Sequence, residues 1–221
     1  MSGGTVLGAY ARADDLPAGI PVFPLDGALL LPRGGLPLNI FEPRYLNMVD
    51  DAMAGDRLIG MVQTRGGGRA HPELAPVGCA GRITRYAETA DGRYLITLTG
   101  VCRFLVGEEL PVQTPYRQIR ADFRAFEEDL RPTPEFVSGR QRLLRALRAY
   151  LVRRSLDVNW ETAGAAPVEA LVNSLSMALP FDPPEKQALL EAETLPEREK
   201  ALIALLEIDA AASEDDDLPI Q

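Results

Sequence analysis

The sequence predicts an α+β protein in which a β domain of mostly antiparallel strands precedes a group of helices. Three observations predict this order. Prolines punctuate the apolar runs of residues 20–40, apolar and polar residues alternate in residues 94–106, and the apolar period becomes helical after Pro134. The chain has 221 residues, of which 46% are apolar and 25% charged, so it can bury a core without disulfides or metals.

The N-terminal part of the chain predicts an arm followed by extended structure. Residues 1–18 are rich in Gly, Ala and Asp and show no apolar period, so we expect a disordered arm there. Four prolines in residues 20–40 disfavour a helix and suit edge strands and turns. The run Pro32-Arg33-Gly34-Gly35 predicts a turn between two short strands.

Residues 43–54 predict the first helix. Their apolar side chains recur at helical spacing and form one face: Tyr45, Met48, Val49, Ala52 and Met53. Pro43 suits the first helical turn, and Gly55 suits a left-handed residue that ends the helix.

The following residues predict the main strands. We expect a buried strand over residues 58–63, a loop over 64–76, long strands over 77–88 and 94–106, and a last strand over 116–126. The long strands meet at Ala90-Asp91-Gly92, where Asp-Gly favours a hairpin turn. Mostly antiparallel strands with one early helix predict a barrel-like β domain over residues 19–128.

The C-terminal part predicts a four-helix bundle over residues 132–210 and an acidic tail over residues 211–221. Two helices are expected over residues 135–156 and 167–179. Two more should begin at Asp182-Pro183-Pro184-Glu185 and Thr194-Leu195-Pro196-Glu197, because each run has a cap residue followed three positions later by Glu.

Charge is unevenly distributed along an acidic chain. The net charge is −9, and 21 of the 23 basic residues are arginine. Residues 131–160 hold seven arginines against two acids, whereas residues 161–221 hold fourteen acids against three basic residues. A basic helix could therefore pack against acidic helices, or a basic face could bind an acidic partner. The acidic total argues against bulk nucleic-acid binding.

Nothing in the sequence predicts a catalytic, metal or cofactor site. His71 is the only histidine and has no Ser or Cys next to it, and Cys79 and Cys102 are too few for a zinc site. We expect two buried thiols, although a disulfide stays open. No secretory signal and no apolar run of about 18 residues occurs, so we expect a cytoplasmic protein that does not enter membranes.

The hinge between strand and helix is the best-defined candidate for binding. Phe41 and Tyr45 lie about one helical turn apart, so both rings could be core residues with Arg44 paired locally. Alternatively, Arg33, Arg44 and Tyr45 could line a groove for an extended peptide whose main chain pairs with a free strand edge. Trp160 is expected at the junction of barrel and bundle, with a role as an exposed anchor as the alternative.

Six segments in register resemble the N-terminal, substrate-recognising domain of the ATP-dependent protease Lon, over residues 20–208. They are Pro21-Val22-Phe23-Pro24-Leu25, Pro32-Arg33-Gly34-Gly35, Phe41-Glu42-Pro43-Arg44-Tyr45, Gly55-Asp56-Arg57-Leu58-Ile59-Gly60, Val77-Gly78-Cys79-Ala80-Gly81-Arg82-Ile83 and Gly100-Val101-Cys102-Arg103-Phe104. The resemblance implies a PUA-like β-barrel over residues 19–128, followed by a helical bundle. It also implies binding of unfolded or tagged polypeptides and association between copies of the chain.

The sequence departs from the full protease in its catalytic machinery. It contains no G-x-x-x-x-G-K-[ST] phosphate loop, and Lys186 and Lys200 are its only lysines, both on predicted helices. We therefore expect a non-enzymatic polypeptide-binding protein without cofactor, acting as an adaptor or regulator in protein quality control. The alternative is an RNA-binding module, because PUA-like barrels elsewhere bind RNA and the strands carry Arg82, Arg85, Arg93 and Arg103.

Overall fold

A computed structural model describes residues 10–68, 71–134, 136–155 and 160–211. The strands are β1 (Gly19–Pro24), β2 (Gly35–Ile40), β3 (Leu58–Gly68), β4 (His71–Glu88), β5 (Tyr94–Glu109) and β6 (Gln118–Asp122). The α-helices are α1 (Pro43–Ala54), α2 (Arg140–Arg154), α3 (Trp160–Ala165), α4 (Val168–Ala178), α5 (Pro183–Glu191) and α6 (Leu195–Ala211). Two short 3₁₀ helices cover Ala13–Asp15 and Arg124–Leu130. Of the predicted acidic tail, Ala211 is the last residue of α6, and residues 212–221 lie outside the described residues.

The strands form one sheet in the order β2-β5-β4-β3-β1-β6, and β6 also pairs with the far end of β5. All pairs are antiparallel except β1 with β3, in which Val22 lies opposite Gly60. A parallel pair needs a crossover, and β2 and α1 lie on this one. The predicted α+β class is confirmed.

Two of the connections predicted between strands are confirmed, and one is wrong. The chain turns at Pro32 and Arg33 and again at Ala90-Asp91-Gly92, where Gly92 has φ 79°. The loop predicted over residues 64–76 is wrong, because β3 extends to Gly68 and β4 begins at His71. Two register shifts between β3 and β4 let this Gly- and Pro-rich segment stay paired, so strand pairing overrides local propensity.

Two hydrophobic clusters hold the described residues together. The larger cluster lies between the sheet, α1 and the C-terminal helices, so the strands and the helices share a core. Its fully buried members come from both halves of the chain and include Leu30, Met48, Ile59, Leu98, Leu143, Tyr150, Leu202 and Leu206. The smaller cluster joins the other face of the strands to the 3₁₀ helices, through Ile20, Val22, Phe104, Ile119 and Phe123.

The described part of the N-terminal arm is ordered, so the prediction of a disordered arm is wrong for residues 10–18. Ala13 and Leu16 are buried in the smaller cluster, and the Ala13 N–H donates to Glu127 Oε1 at 3.0 Å. Two apolar contacts separated by charged residues give no periodic signal, so the sequence could not indicate this packing. Residues 1–9 lie outside the described residues.

The first helix has its predicted bounds but a different end. Pro43 occupies the first turn as expected. Gly55 follows the helix with φ −116°, and the left-handed residue is Arg57, with φ 61°. The expectation of a left-handed Gly55 is therefore wrong. The left-handed residue lies two positions later, where the Arg57 N–H donates to the Ala52 carbonyl.

The C-terminal helices differ from the prediction at the first of them. α2 begins at Arg140 because the preceding Ser138 hydroxyl and Gly139 N–H both donate to the Glu199 carboxylate, at 2.6 and 3.0 Å. The short helix α3 was not predicted. Both capping boxes are confirmed, since Glu185 accepts from the Asp182 N–H and Glu197 from the Thr194 N–H.

The basic helix packs against an acidic one, which is the first of the two charge interpretations. Arg142 pairs with Glu207 at 2.7 Å, and Arg153 and Arg154 both pair with Asp209. The hydrogen bond from Arg154 is the main cause that lowers the pKa of the Asp209 carboxyl below its usual value. These pairs add to the apolar contacts through which α2 packs on α6, and each contributes little to stability, because solvent screens the charges.

A buried arginine joins the sheet to the helices. Arg103 on β5 is 3% exposed and forms a bidentate pair with Asp129, with Nε–Oδ2 at 2.8 Å and Nη2–Oδ1 at 2.9 Å. Its remaining donors reach three carbonyls at the end of α5, those of Leu190, Ala192 and Glu193. One guanidinium therefore satisfies both a buried carboxylate and a helix C-terminus.

We expect Arg103→Met to lower the free energy of unfolding by about 3–5 kcal/mol, because it leaves the Asp129 carboxylate buried without its cationic partner, and only the backbone N–H at position 103 still donates to it. Urea unfolding followed by circular dichroism measures this loss. Arg131→Met is the control, since Arg131 forms an exposed pair with Glu128 and should change stability by less than about 1 kcal/mol. Equal losses in both variants would contradict the assigned role of Arg103.

Gly100 on β5 allows the segment before β2 to lie on the sheet. A Cβ there would lie 2.0 Å from the Leu31 carbonyl oxygen. We expect Gly100→Ala to lower the free energy of unfolding by about 1–3 kcal/mol, because backbone must move. Gly35→Ala, with nothing within 4 Å, is the matched control in the same unfolding experiment and should be nearly neutral. A stable Gly100→Ala variant would show that the Leu31 segment is not fixed.

Candidate functional site

Arg33 serves as a link between the strands and the helices. Its backbone is left-handed, with φ 66°, and its N–H donates to the Gly100 carbonyl at 2.8 Å. Its guanidinium pairs with Glu169 on α4 and donates to the Asp129 carbonyl at 2.6 Å. These contacts place Arg33 away from the hinge helix, so the predicted groove of Arg33, Arg44 and Tyr45 does not assemble.

Tyr45 is a core residue. It is 6% exposed and its ring lies 4.2 Å from that of Phe23. Burial raises the pKa of its hydroxyl above the usual value. A Tyr45→Ala variant would therefore test packing in the larger cluster rather than ligand binding.

Arg44 pairs locally, as one of the two interpretations expected. Its Nη2 lies 2.8 Å from Glu42 Oε2, and its guanidinium carbon lies 4.5 Å from the centre of the Tyr45 ring. About half of the Arg44 side chain remains exposed. Arg44 therefore covers the Tyr45 ring on one side and faces solvent on the other.

Phe41 differs from Tyr45 because its ring is exposed. It follows β2 directly and is 62% exposed. The guanidinium carbon of Arg93 lies 5.9 Å from its ring centre. The expectation that both hinge rings are core residues is thus wrong for Phe41, and an exposed phenylalanine is a feature that a binding surface would use.

Trp160 begins α3 and lies against α2, where it is half-buried. The Arg148 guanidinium carbon sits 4.7 Å from its ring centre. Together with side chains of α2 it lines a groove of about 370 Å³. The structure thus places Trp160 beside α2, one of the C-terminal helices, with part of its side chain exposed.

The thiols and the histidine do not form a reactive cluster. Cys79 packs in the larger cluster and Cys102 in the smaller one, so they lie on opposite faces of neighbouring strands and form no disulfide. Burial raises the pKa of both thiols far above its usual value, which disfavours the thiolate. His71 is exposed and lies 3.4 Å from Glu109.

Two negative findings concern the described residues. Among them, no group of three or more His, Cys, Asp and Glu side chains is arranged to hold a metal ion. None of the helices described is both long enough and apolar enough to span a bilayer.

The outward side of strands β2, β5 and β4 forms a shallow depression of about 850 Å³. We call it the ladder face, and it comprises Pro37, Asn39, Arg85, Ala87, Leu95 and Thr97. Alternate residues of the same strands, such as Leu38 and Ile96, point into the larger cluster. Leu95 is 47% exposed at the middle of the ladder face. The alternation 37, 39, 41 continues from β2 to the exposed Phe41 ring.

One edge of the ladder face is open. Among the described strands, β2 pairs only with β5, so its other edge has no strand partner. Pro37 on β2 has no N–H, which confines it to an edge position and weakens pairing with another strand. An extended chain could add to this edge only in part, and side-chain contacts on the face would have to supply the rest.

The sequence did not single out Leu95 as a candidate for binding. The alternation over residues 94–106 predicts two faces of the strand but does not decide which of them is exposed. The exposed leucine at the centre of a face of Thr, Asn and Arg residues is the signal that could have identified it.

The comparisons with known proteins agree with this architecture. The family model of the ATP-dependent protease La (LON) substrate-binding domain matches residues 19–207. Lon protease 2 of Myxococcus xanthus is 29% identical over 206 residues, and Lon protease of Anaeromyxobacter dehalogenans 28%. Each match covers 87% of this chain but only 24% and 23% of the relative, so the chain spans about a quarter of their length.

Two solved structures share the fold. The Lon N-terminal domain protein from Xanthomonas campestris superposes with a TM-score of 0.60 at 21% identity, covering 84% of this chain and 97% of the other. The N-terminal domain of the Mycobacterium avium complex Lon protease gives 0.60 at 19%, covering 85% and 97%. With the match over residues 19–207, the chain belongs to the Lon substrate-binding domain family.

Proposed function

We propose that this chain is a non-catalytic polypeptide-binding protein, an adaptor or regulator in protein quality control, and that its ladder face with Phe41 holds the polypeptide. Exposed apolar side chains at a shallow depression support this assignment, since an unfolded polypeptide offers apolar side chains and extended backbone. Arg44 lies three residues after Phe41 and would border the same surface.

The chemistry of the ladder face supports binding without catalysis. Asn39, Thr97 and Arg85 surround Leu95 and can donate hydrogen bonds to a peptide backbone. No nucleophile with a base in reach occurs among the residues of this face. Binding of protein substrates is also what family membership suggests.

The finer architecture is part of the proposal. Strand pairing runs from β5 through β4, β3, β1 and β6 back to β5, which supports a PUA-like barrel over residues 19–128. Contacts of α6 with α2, α4 and α5 support a four-helix bundle over residues 132–210. A cytoplasmic location and association between copies remain part of the same proposal.

The RNA-binding alternative is less well supported. Of the four arginines that suggested it, Arg103 is buried and Arg93 pairs with Asp91 at 2.9 Å. Arg85 is exposed and Arg82 half-buried, but two arginines without an ion pair among the described residues, on a chain of net charge −9, do not attract an extended polyanion.

We expect the double variant Phe41→Ser, Leu95→Ser to bind a labelled, permanently unfolded polypeptide at least about tenfold more weakly than the unchanged chain, because two apolar contacts are lost. Fluorescence anisotropy measures the affinity. Both side chains are exposed, so thermal unfolding should change little.

The matched control is Ile208→Ser on α6, where an apolar side chain is 66% exposed on another surface. It should leave the affinity unchanged. Equal binding by the double variant and the unchanged chain would refute the ladder face as the site, and no binding by the unchanged chain would refute polypeptide binding itself.

A further inference from the structure

The outer face of α2 carries cations that α6 does not neutralise. Gln141, Leu144, Arg145, Arg148 and Trp160 line the groove of about 370 Å³, which we call the α2 groove. Helical spacing places Arg145, Arg148 and Val152 on one side, away from the buried Leu143 and Leu147. The α2 groove is thus an exposed helix face that no other described element covers.

Arg145 and Arg148 differ from their neighbours in their partners. Arg142, Arg153 and Arg154 have carboxylates on α6, whereas Arg145 and Arg148 form no ion pair with a described residue. Glu207, the acid whose pKa Arg145 helps to lower, accepts its hydrogen bonds from Arg142. Two free guanidinium groups therefore remain on a chain whose net charge is −9.

Apolar surface lies directly beside these guanidinium groups. The Arg148 guanidinium carbon is 4.7 Å from the Trp160 ring centre, and Leu144, one turn before Arg148, is half-buried in the same groove. Val152, one turn beyond Arg148, is 76% exposed. Stacking on the indole holds the Arg148 side chain in place, so it loses less freedom when it binds a carboxylate.

We infer that the α2 groove binds an acidic polypeptide segment of a partner protein, with carboxylates on Arg145 and Arg148 and an apolar side chain on Trp160 and Leu144. Charge complementarity supports this occupant, because the planar guanidinium group of arginine matches a carboxylate in geometry. Trp160 and Leu144 add apolar surface beside the two arginines. This surface is separate from the ladder face, so the inference does not depend on that site.

An acidic peptide fits the groove better than a nucleic acid. A nucleic acid gains affinity from many phosphate contacts along its length, and the α2 groove offers two cations on an acidic protein. A short acidic segment needs only one or two charge pairs and can bury an apolar side chain as well.

The test uses the full chain and a labelled Glu-rich peptide with one central Leu and no aromatic residue. Anisotropy measures affinity, and Trp160, the only tryptophan, reports binding at the groove by its fluorescence. We expect saturable binding that changes Trp160 fluorescence and weakens with added salt. Arg145→Gln with Arg148→Gln should weaken it at least about tenfold, by loss of two charge-assisted contacts.

The control Arg65→Gln removes an exposed arginine from β3 and should leave the affinity unchanged. Equal binding of the double variant, or of a peptide with Gln in place of Glu, would overturn the proposal. Binding of a single-stranded RNA without binding of the peptide would also overturn it. A final variant neutralises Glu214, Asp215, Asp216 and Asp217. If this variant binds the peptide and the unchanged chain does not, the groove is occupied by this chain's own acidic segment instead.

Discussion

The buried guanidinium of Arg103 links the two halves of the chain, because it binds Asp129 beside the strands and the end of α5 among the helices. Asp129 fixes the guanidinium from one side, and the carbonyls at the end of α5 receive its remaining donors. Arg198 adds a second buried cation that donates to the Leu189 carbonyl, and burial lowers its pKa to about 10. A buried ion pair contributes little net stability, but each partner is costly to lose, so it selects one docking arrangement.

This docking leaves two surfaces that the core does not use. The larger cluster takes the inward side of β2, β5 and β4, which leaves Leu95 and the adjacent Phe41 on the outward side. It also takes one side of α2, while α6 pairs with the arginines on a second side. The remaining side of α2 keeps Arg145 and Arg148. One surface is therefore mostly uncharged and the other basic.

Local signals predicted those parts of the fold that depend on neighbours in sequence. The face of α1, the hairpin at Gly92 and the capping boxes of α5 and α6 each follow from residues within one or two turns. Elements that depend on distant partners were missed. The paired ends of β3 and β4, the packing of Leu16, and the start of α2 at the Glu199 carboxylate all depend on contacts across the fold. Propensity does not encode such contacts.

The sequence by itself determined the class, the order of the strands and longer helices, the family and the absence of a phosphate loop, because apolar period, turn chemistry and motif order are local properties. Only the tertiary structure decided which candidate side chains reach solvent. Tyr45 and Phe41 have the same sequence signal, yet one ring packs on Phe23 and the other stays exposed. Arg33 and Arg103 bind carboxylates, whereas Arg145 and Arg148 form no ion pair within the described part of the chain. Exposure and charge pairing depend on which distant elements meet, and the packed core decides that.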